Sequence, residues 1–200
     1  MKIGAIILAA GGSSRMDNGN KLLMTIDGKP MIASVVDTIA AGGFRPVVVV
    51  SGYDETALHQ ALTGRQVQFV SNTHWEQGLS SSLRAGIAAL PPETRGVAIM
   101  LGDMPLLKVV TLQALKDCFE AQGGEKIVYP TYRGQQGNPV FFPRRLFPEL
   151  LALQGDMGAR KLLRQMDIED TIPVPVGTSE VLEDCDTDDD YTHILALLED

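Results

Sequence analysis

Short apolar runs alternate with amphipathic segments over the first two thirds of the chain. The runs are too short for buried helices, and they predict strands that are covered on both faces. The segments between them have helical spacing, and some end at Gly42-Gly43 or Pro91-Pro92, which are typical helix stops. Strands that alternate with helices predict a three-layer α/β/α fold around a mostly parallel, mixed sheet. The predicted strands are residues 3–8, 46–50, 67–70, 97–101 and 126–130, and the predicted helices are residues 30–41, 54–62, 79–90 and 109–122.

The alternation weakens after about residue 130. A glycine-rich turn at residues 134–137 separates two extended pieces, which predict a hairpin or the edge of a mixed sheet. Prolines within residues 171–185 allow edge strands at most, because proline cannot donate a ladder hydrogen bond. Thr187 and Asp190 have the spacing of an imperfect capping box before a closing helix. The two extended pieces are residues 128–132 and 139–142, and the further predicted helices are residues 146–153, 157–166 and 191–198.

Composition excludes several classes of protein. The chain has 200 residues, of which 44% are hydrophobic, and a formal net charge of −8. The apolar content excludes disorder as the main state, and the acidic balance argues against nonspecific nucleic-acid binding. No apolar run approaches the roughly 20 residues of a membrane span, so we expect a soluble, cytoplasmic protein with a single domain over residues 1–200. Cys118 and Cys185 lie far apart and are expected to be reduced structural thiols.

The loop after the first predicted strand has the composition of a phosphate-binding site. Its glycines let the backbone approach a ligand, and consecutive N–H groups can point at an anion. Its serines can donate to phosphate oxygens, and its arginine and lysine supply positive charge in an acidic chain. The spacing matches neither the P-loop nor the dinucleotide-binding glycine motif, and a surface turn with two solvated cations is the alternative. The residues are Gly11, Gly12, Ser13, Ser14, Arg15 and Lys21.

A carboxylate follows the predicted strand at residues 97–101. Asp103 lies beyond the carboxyl end of that strand, where ligands bind in open α/β sheets. Such a carboxylate suits Mg²⁺, which takes few protein oxygens and several from phosphates. The alternative is an aspartate that only caps a turn. Asp184 and Asp186 alternate in an extended piece and face the same way, so each is a candidate for a second metal ligand.

The start of the predicted helix at residues 79–90 is rich in hydroxyl groups. Gly78 precedes it, and Ser80 and Ser82 lie in its first turn, where free N–H groups suit a ribose or an anion. A serine-rich helix cap with Trp75 in the core is the alternative. The three histidines have no recognisable partner, so nothing indicates a histidine-activated nucleophile.

Six segments of the chain, taken in order, resemble one family of enzymes. They read LAAGGSSRM, NTHWEQGLSSSL, GDMP, GQQGNPVFF, GDMGAR and DCDTDDDY. Together they are similar to the MobA/MocA-like nucleotidyltransferases, and most to the molybdenum cofactor cytidylyltransferase branch. The resemblance implies a Rossmann-like fold of the nucleotide-diphospho-sugar-transferase type and a Mg²⁺-dependent reaction. In that reaction, CTP and molybdenum–molybdopterin give molybdopterin cytosine dinucleotide and pyrophosphate. It also implies a molybdenum hydroxylase apo-enzyme, or its delivery chaperone, as a partner.

The resemblance also assigns roles to individual residues. Residues up to about 105 would bind the nucleotide, and residues 106–200 would form the acceptor side. Ala10 stands where the guanylyl branch tends to have glycine, which favours cytidine, whereas Asp17 adds a negative charge where the family often has glycine. The nucleotide would contact Leu8, Ala9, Ala10, Gly11, Gly12, Ser13, Ser14, Arg15, Lys21, Gly78, Ser80 and Ser82; the metal would bind Asp103 and Asp186; catalysis would use Arg15, Lys21 and Asp103; and the acceptor would contact Gly137, Asn138, Pro139, Asp156, Gly158 and Arg160.

The expected chemistry needs no general base. A terminal phosphate monoester has a second pKa of about 6 and is largely dianionic at neutral pH, so it can attack without giving up a proton. Two alternatives to this function stay open. One is transfer of a nucleotide to another acceptor, such as a sugar, polyol or isoprenoid phosphate, or guanylyl transfer from GTP to molybdopterin. The other is a non-catalytic protein that binds a nucleotide or the molybdenum cofactor.

Overall fold

A mixed sheet with helices on both faces forms the centre of the molecule, as the alternation of strands and helices predicts. The computed structural model describes residues 1–12 and 19–199. The strands are β1 (Ile3–Ala9), β2 (Thr25–Ile26), β3 (Lys29–Pro30), β4 (Val47–Ser51), β5 (Gln68–Ser71), β6 (Gly96–Leu101), β7 (Ile127–Tyr132), β8 (Gln135–Gln136), β9 (Val140–Pro143) and β10 (Thr171–Pro175). The α-helices are α1 (Met31–Ala41), α2 (Glu55–Ala61), α3 (Leu79–Ala88), α4 (Val109–Ala121), α5 (Phe147–Ala152), α6 (Ala159–Gln165) and α7 (Asp188–Glu199).

The parallel part of the sheet surrounds β1. The strand order is β10-β7-β9-β6-β1-β4-β5, and β8 pairs with β7 outside this path. β1 runs parallel to both neighbours, so that Leu8 lies level with Val50 of β4 and Leu101 of β6. The carboxyl ends of these three strands therefore meet at one edge of the sheet, which is where ligands bind in open α/β folds.

The position of β9 differs from the sequence prediction. The sequence predicts that residues 139–142 pair with residues 128–132 as a hairpin or at the edge of a mixed sheet. β9 does pair antiparallel with β7, as predicted, but it also pairs antiparallel with β6 and so lies between the two strands and not at the edge; β8 forms a short hairpin with the end of β7. All four residues of β9 are buried, which a central position requires. The edge is taken by the proline-containing β10, as the prolines allow.

Alternate residues of β1 are buried on opposite faces of the sheet. Ile7 belongs to the core cluster that α1 and α4 cover, whereas Ile6 belongs to the cluster that α3, α5 and α6 cover. Side chains of a strand alternate between faces, and both faces of β1 are covered. For this reason every residue of β1 is buried and the strand forms one uninterrupted apolar run in the sequence.

Three smaller expectations concern the start of α7, the two cysteines and membrane-spanning helices. Thr187 and Asp190 cap α7 reciprocally: the Thr187 N–H donates to Asp190 at 2.8 Å, and the Asp190 N–H donates to Thr187 at 3.2 Å. Cys118 and Cys185 are free thiols, as expected. In the two described ranges, none of the helices combines the length and the apolar character that crossing a membrane demands.

Candidate active site

A cavity of about 640 Å³ opens where β1 and β6 end. β1 continues into the glycine-rich loop, and β6 is followed by Gly102 and Asp103. The Gly102 N–H donates to the carbonyl oxygen of Leu8 at 3.1 Å, so the two strand ends stay together and form one wall. The residues predicted to bind the nucleotide or the metal that line this cavity are Leu8, Ala9, Ala10, Gly11, Gly12, Lys21, Gly78, Ser82, Asp103 and Asp186.

Lys21 lies between two carboxylates in this wall. Its Nζ contacts Asp103 Oδ2 at 2.5 Å and Asp186 Oδ1 at 2.6 Å. The Lys21 and Asp103 side chains are 15% and 13% exposed, and the Asp186 side chain is 35% exposed. Burial opposes the charge on Lys21, but the two carboxylates outweigh it and raise its pKa. The ammonium group is therefore fully charged at neutral pH and partly offsets the acidic cluster.

Local structure explains why residues so far apart in sequence meet here. Lys21 begins a single 3₁₀ turn, which Asn20 caps through a hydrogen bond from the Leu22 N–H at 3.1 Å. Leu22 is buried in the core and anchors that turn. The Cys185 N–H donates to the carbonyl oxygen of Asp103 at 3.0 Å, and this bond brings the acidic segment before α7 beside the end of β6.

Asp184 is a third carboxylate in the cavity wall. Partial burial raises its pKa, and the charges of Asp103 and Asp186 act in the same direction. Burial likewise raises the pKa of the intervening Cys185 thiol, to about 11, so this cysteine is a protonated, unreactive thiol at neutral pH. Spacing does not choose between Asp184 and Asp186 as a ligand, and the family resemblance favours Asp186; in the structure Asp186 contacts Lys21, while Asp184 lines the same cavity.

The carboxylates fit a hard divalent cation bound together with a phosphate ligand. Asp103 Oδ1 is buried and has no hydrogen-bond partner among the residues that the structure describes. No group of three or more histidine, cysteine, aspartate or glutamate side chains in residues 1–12 and 19–199 is arranged as a complete metal cage. Mg²⁺ in proteins is usually bound by one or two carboxylates, and water molecules and substrate phosphates fill its other coordination positions. Asp103 and Asp186 would therefore be a suitable pair of protein ligands.

The opposite wall comes from the turn before α3. Gly78 has a φ of +96°, and a Cβ atom at this position would lie 2.6 Å from the backbone of Gly155. Only glycine tolerates both conditions. The close contact, with the hydrogen bond from the Ser80 N–H to the Gly155 carbonyl oxygen at 3.1 Å, joins the nucleotide wall to the segment that contains Asp156. Trp75 completes this wall; sequence reasoning missed it, because a lone tryptophan is equally typical of a core.

A second cavity of about 620 Å³ adjoins the first. Leu8, Leu79, Leu101 and Asp156 line both cavities. The four residues predicted for the acceptor that line the second cavity are Asn138, Asp156, Gly158 and Arg160.

The second cavity also has cations that sequence reasoning missed. Lys161 and Arg164 line it together with Arg160. Arg160 and Arg164 are four residues apart on α6 and so lie on one helix face, which is the signal that could have identified Arg164. Loss of hydration lowers the pKa of the Arg160 guanidinium; the charge of Arg164 adds to this effect, and Asp184 opposes it. Because Arg160 and Arg164 both line the cavity, this helix face offers positive charge to an anionic group.

Similarity to known proteins identifies the family. A family model, the MobA-like NTP transferase domain, matches residues 5–171. The chain belongs to this family.

Relatives of this MobA-like chain match 80% or more of it. Nicotine blue oxidoreductase of Paenarthrobacter nicotinovorans is 28% identical over 165 residues, which are 80% of each protein. The crystal structure of Rv0371c from Mycobacterium tuberculosis H37Rv has a TM-score of 0.85 and 28% identity over 98% of both chains, and a structure of Rv0371c complexed with manganese has a TM-score of 0.81. A nucleotidyl transferase from Methanothermobacter thermautotroptrophicus has a TM-score of 0.85 and 25% identity, and covers 99% of this chain and 98% of that one.

Some residues predicted for the site of this MobA-like transferase lie elsewhere. Ser80 is fully buried and accepts a long hydrogen bond from Arg84 at 3.5 Å, away from the cavity lining. Gly137 packs against Val181, and neither Gly137 nor Pro139 lines the second cavity. The predictions for Ser13, Ser14, Arg15 and Asp17 fall outside the described residues.

Proposed function

We propose that this MobA-like transferase moves CMP from CTP to the terminal phosphate of molybdenum–molybdopterin and releases pyrophosphate. The observation that carries the proposal is the arrangement of Lys21, Asp103 and Asp186 in one cavity that adjoins a second, arginine-lined cavity. A nucleotidyl transfer needs two such spaces side by side, one for the triphosphate and one for the attacking phosphate.

Charge neutralisation is the main task of the nucleotide cavity. A triphosphate is strongly anionic, and the carboxylates alone would repel it. A divalent cation held by Asp103 and Asp186 would neutralise the phosphates, and the manganese complex of Rv0371c supports such a site. Lys21 would then contact the phosphate oxygens, and we propose that Arg15 adds a second cationic contact.

The transfer step balances without an acid–base residue. An oxygen of the acceptor phosphate forms a bond to the α-phosphorus of CTP, while the bond from the α-phosphorus to the bridging oxygen of the β-phosphate breaks. The electron pair leaves with pyrophosphate. The attacking dianion needs no proton removed, and histidine is missing from the described lining of the cavity. The remaining requirement is in-line positioning.

The acceptor cavity suits an anionic substrate with a ring system. Its floor contains Ile99, Leu101 and Val140, and Arg160 and Arg164 line it as well. An apolar floor favours burial of a flat heterocycle, and guanidinium groups bind phosphate through paired hydrogen bonds. The resemblance of the GQQGNPVFF and GDMGAR segments to the molybdenum cofactor enzymes leads us to propose the pterin phosphate.

The choice of cytidine rests on Ala10. Ala10 belongs to the cavity wall, and its carbonyl oxygen accepts a hydrogen bond from the Tyr53 N–H at 3.1 Å. Together with the resemblance to the cytidylyl branch, this residue favours CTP over GTP.

Pyrophosphate release by the purified protein tests the proposal. The assay contains Mg²⁺ and molybdenum–molybdopterin and compares CTP, GTP, ATP and UTP. Asp103→Asn is the inactive reference, and Asp117→Asn, at an exposed position on α4, is the matched control. We expect release with CTP alone, and a loss of at least about 100-fold in the Asp103 variant only.

Other outcomes would contradict parts of the proposal. Release with GTP would overturn the interpretation of Ala10. Release only when a sugar, polyol or isoprenoid phosphate replaces the pterin would overturn the acceptor. Oxidation or reduction of nicotine blue without pyrophosphate release would overturn the transferase and favour a reaction like the one named for the Paenarthrobacter relative.

A further inference from the structure

Trp75 is the single tryptophan of the chain and lies in the wall of the nucleotide cavity. It opens the short 3₁₀ turn Trp75–Gln77 that leads from β5 to α3. Its side chain is only partly buried and lines the cavity. A partly exposed aromatic side chain in a cavity is available for a second task.

Side-chain hydrogen bonds hold the turn that carries Trp75. Buried Asn72 accepts a hydrogen bond from the His74 N–H at 3.0 Å and donates to the hydroxyl groups of Ser81 and Ser82 at 2.8 and 3.0 Å. Ser81 donates in turn to the carbonyl oxygen of His74. These bonds connect both sides of the turn to the first turn of α3, so the indole ring has a fixed support.

The outer edge of the indole contacts the start of the glycine-rich loop. A Cβ atom at Gly12 would lie 3.3 Å from both Cη2 and Cζ3 of Trp75. The base of the Trp75 side chain lies close to Gly52: a Cβ atom at Gly52 would lie 2.8 Å from Trp75 Cβ. Tyr53 meets the indole edge to face, with ring centroids 5.7 Å apart. The indole therefore fills the space between the end of β4 and the loop that follows β1.

We propose that Trp75 is a positioning residue, whose indole ring sets where the glycine-rich loop begins and thereby tunes the affinity for the nucleoside triphosphate. The role rests on the proposed function, because it assumes that the loop binds phosphates. Non-bonded carbon atoms make their best contact at about 3.5–4.0 Å. A methyl group at position 12 would thus require Gly12 or the indole to shift by a few tenths of an ångström, whereas Gly11 has open space around it.

A double-mutant cycle tests the contact. The dissociation constant of CTP with Mg²⁺ is measured by calorimetry for wild type, Gly12→Ala, Trp75→Phe and the double variant. Phenylalanine lacks the outer ring atoms that the added methyl group would meet, so we expect Gly12→Ala to weaken binding about tenfold in wild type and less than about threefold in Trp75→Phe. Gly11→Ala serves as the matched control, and its effect should be the same with and without Trp75.

Further readouts separate positioning from general stability. If Trp75 acts through the loop, Trp75→Phe raises KM for CTP while KM for the acceptor and the thermal unfolding midpoint stay near wild type. Independent effects of Gly12→Ala and Trp75→Phe on CTP binding would overturn the inference and leave the proposed function standing. A folded wild-type protein that binds none of the four nucleoside triphosphates would overturn both.

Discussion

Replacing Lys21 by methionine tests whether the acidic cluster is a cation site. The substitution keeps most of the side-chain volume and removes the ammonium that contacts Asp103 and Asp186 at 2.5 and 2.6 Å. Three carboxylates, counting Asp184, then remain in one wall without this counter-charge. We expect the variant to be less stable than wild type when no divalent cation is present.

The size of the loss follows from burial. Breaking a fully buried ion pair costs about 3–5 kcal/mol, because the remaining charge is left unpaired, whereas an exposed pair contributes about 0–1 kcal/mol. Lys21 and Asp103 are mostly buried, but Asp186 is 35% exposed. An intermediate loss of about 2–3 kcal/mol is therefore expected. Because the two carboxylates raise the pKa of Lys21 above its usual 10.5, its contribution is fully present at pH 7 and disappears only as the pH rises through that raised value.

The assay is urea unfolding at pH 7 with EDTA and again with Mg²⁺. A cation that binds only the folded state at 100 times its dissociation constant adds about 2.7 kcal/mol, so Mg²⁺ should recover most of the stability of the Lys21 variant. Wild type should gain less, because Mg²⁺ must displace the ammonium from the carboxylates. Lys29→Met is the control: its ion pair with Asp37 is exposed, and its stability should neither fall by more than about 1 kcal/mol nor respond to Mg²⁺ more than wild type does.

Two results would refute this reasoning. One is a Lys21 variant as stable as wild type in EDTA. The other is a Mg²⁺ response no larger in the Lys21 variant than in the Lys29 variant, which would mean that Lys21 and the divalent cation do not compete for these carboxylates.

Two further predictions concern stability away from the site. Hydrogen bonds from Arg65 lower the pKa of Asp37 below its usual 3.8; Asp37→Asn should therefore cost about 0.5–1 kcal/mol above pH 5. Urea unfolding over a series of acidic pH values measures this cost, and the difference from wild type should disappear as the pH falls below 3.8 and through the lowered pKa. A Cβ atom at Gly86 of α3 would lie 2.7 Å from Ile6, so Gly86→Ala should destabilise by about 1–3 kcal/mol despite the better helix propensity of alanine. Urea unfolding measures the loss of stability of this variant. A stabilised variant would show that α3 can shift on the sheet to accommodate the added methyl group.

Most of the fold could be predicted because β1, β4 and β6 are buried on both faces. A strand in that environment has to be apolar throughout, which the sequence displays directly. The same signal misplaced β9: a short apolar run is compatible with the edge or the centre of a sheet, and only long-range pairing decides between them. The pairing with β6 depends on contacts that no local pattern records.

The site was predictable where position in the fold determines chemistry. Asp103 follows a buried strand, and the location of ligands beyond strand ends applies to it directly. The roles of the serines at the start of α3 were harder to predict from the sequence. Two residues that are two positions apart on a helix are rotated by about 200° about its axis, so their side chains lie on nearly opposite faces. Ser82 therefore lines the cavity, while Ser80 is fully buried outside its lining. Trp75 gave no local signal, since its role depends on a contact with a loop over 60 residues away in sequence.

The fate of labelled phosphate tests the central claim most directly. Wild-type protein is incubated with Mg²⁺, molybdenum–molybdopterin and CTP that carries a radioactive α-phosphorus, and in parallel with CTP labelled at the γ-phosphorus. We expect the α-label to appear in the pterin product and the γ-label in pyrophosphate, at equal rates. An α-label that stays in CTP, or that is released as free CMP while the pterin remains unlabelled, would contradict nucleotidyl transfer to this acceptor.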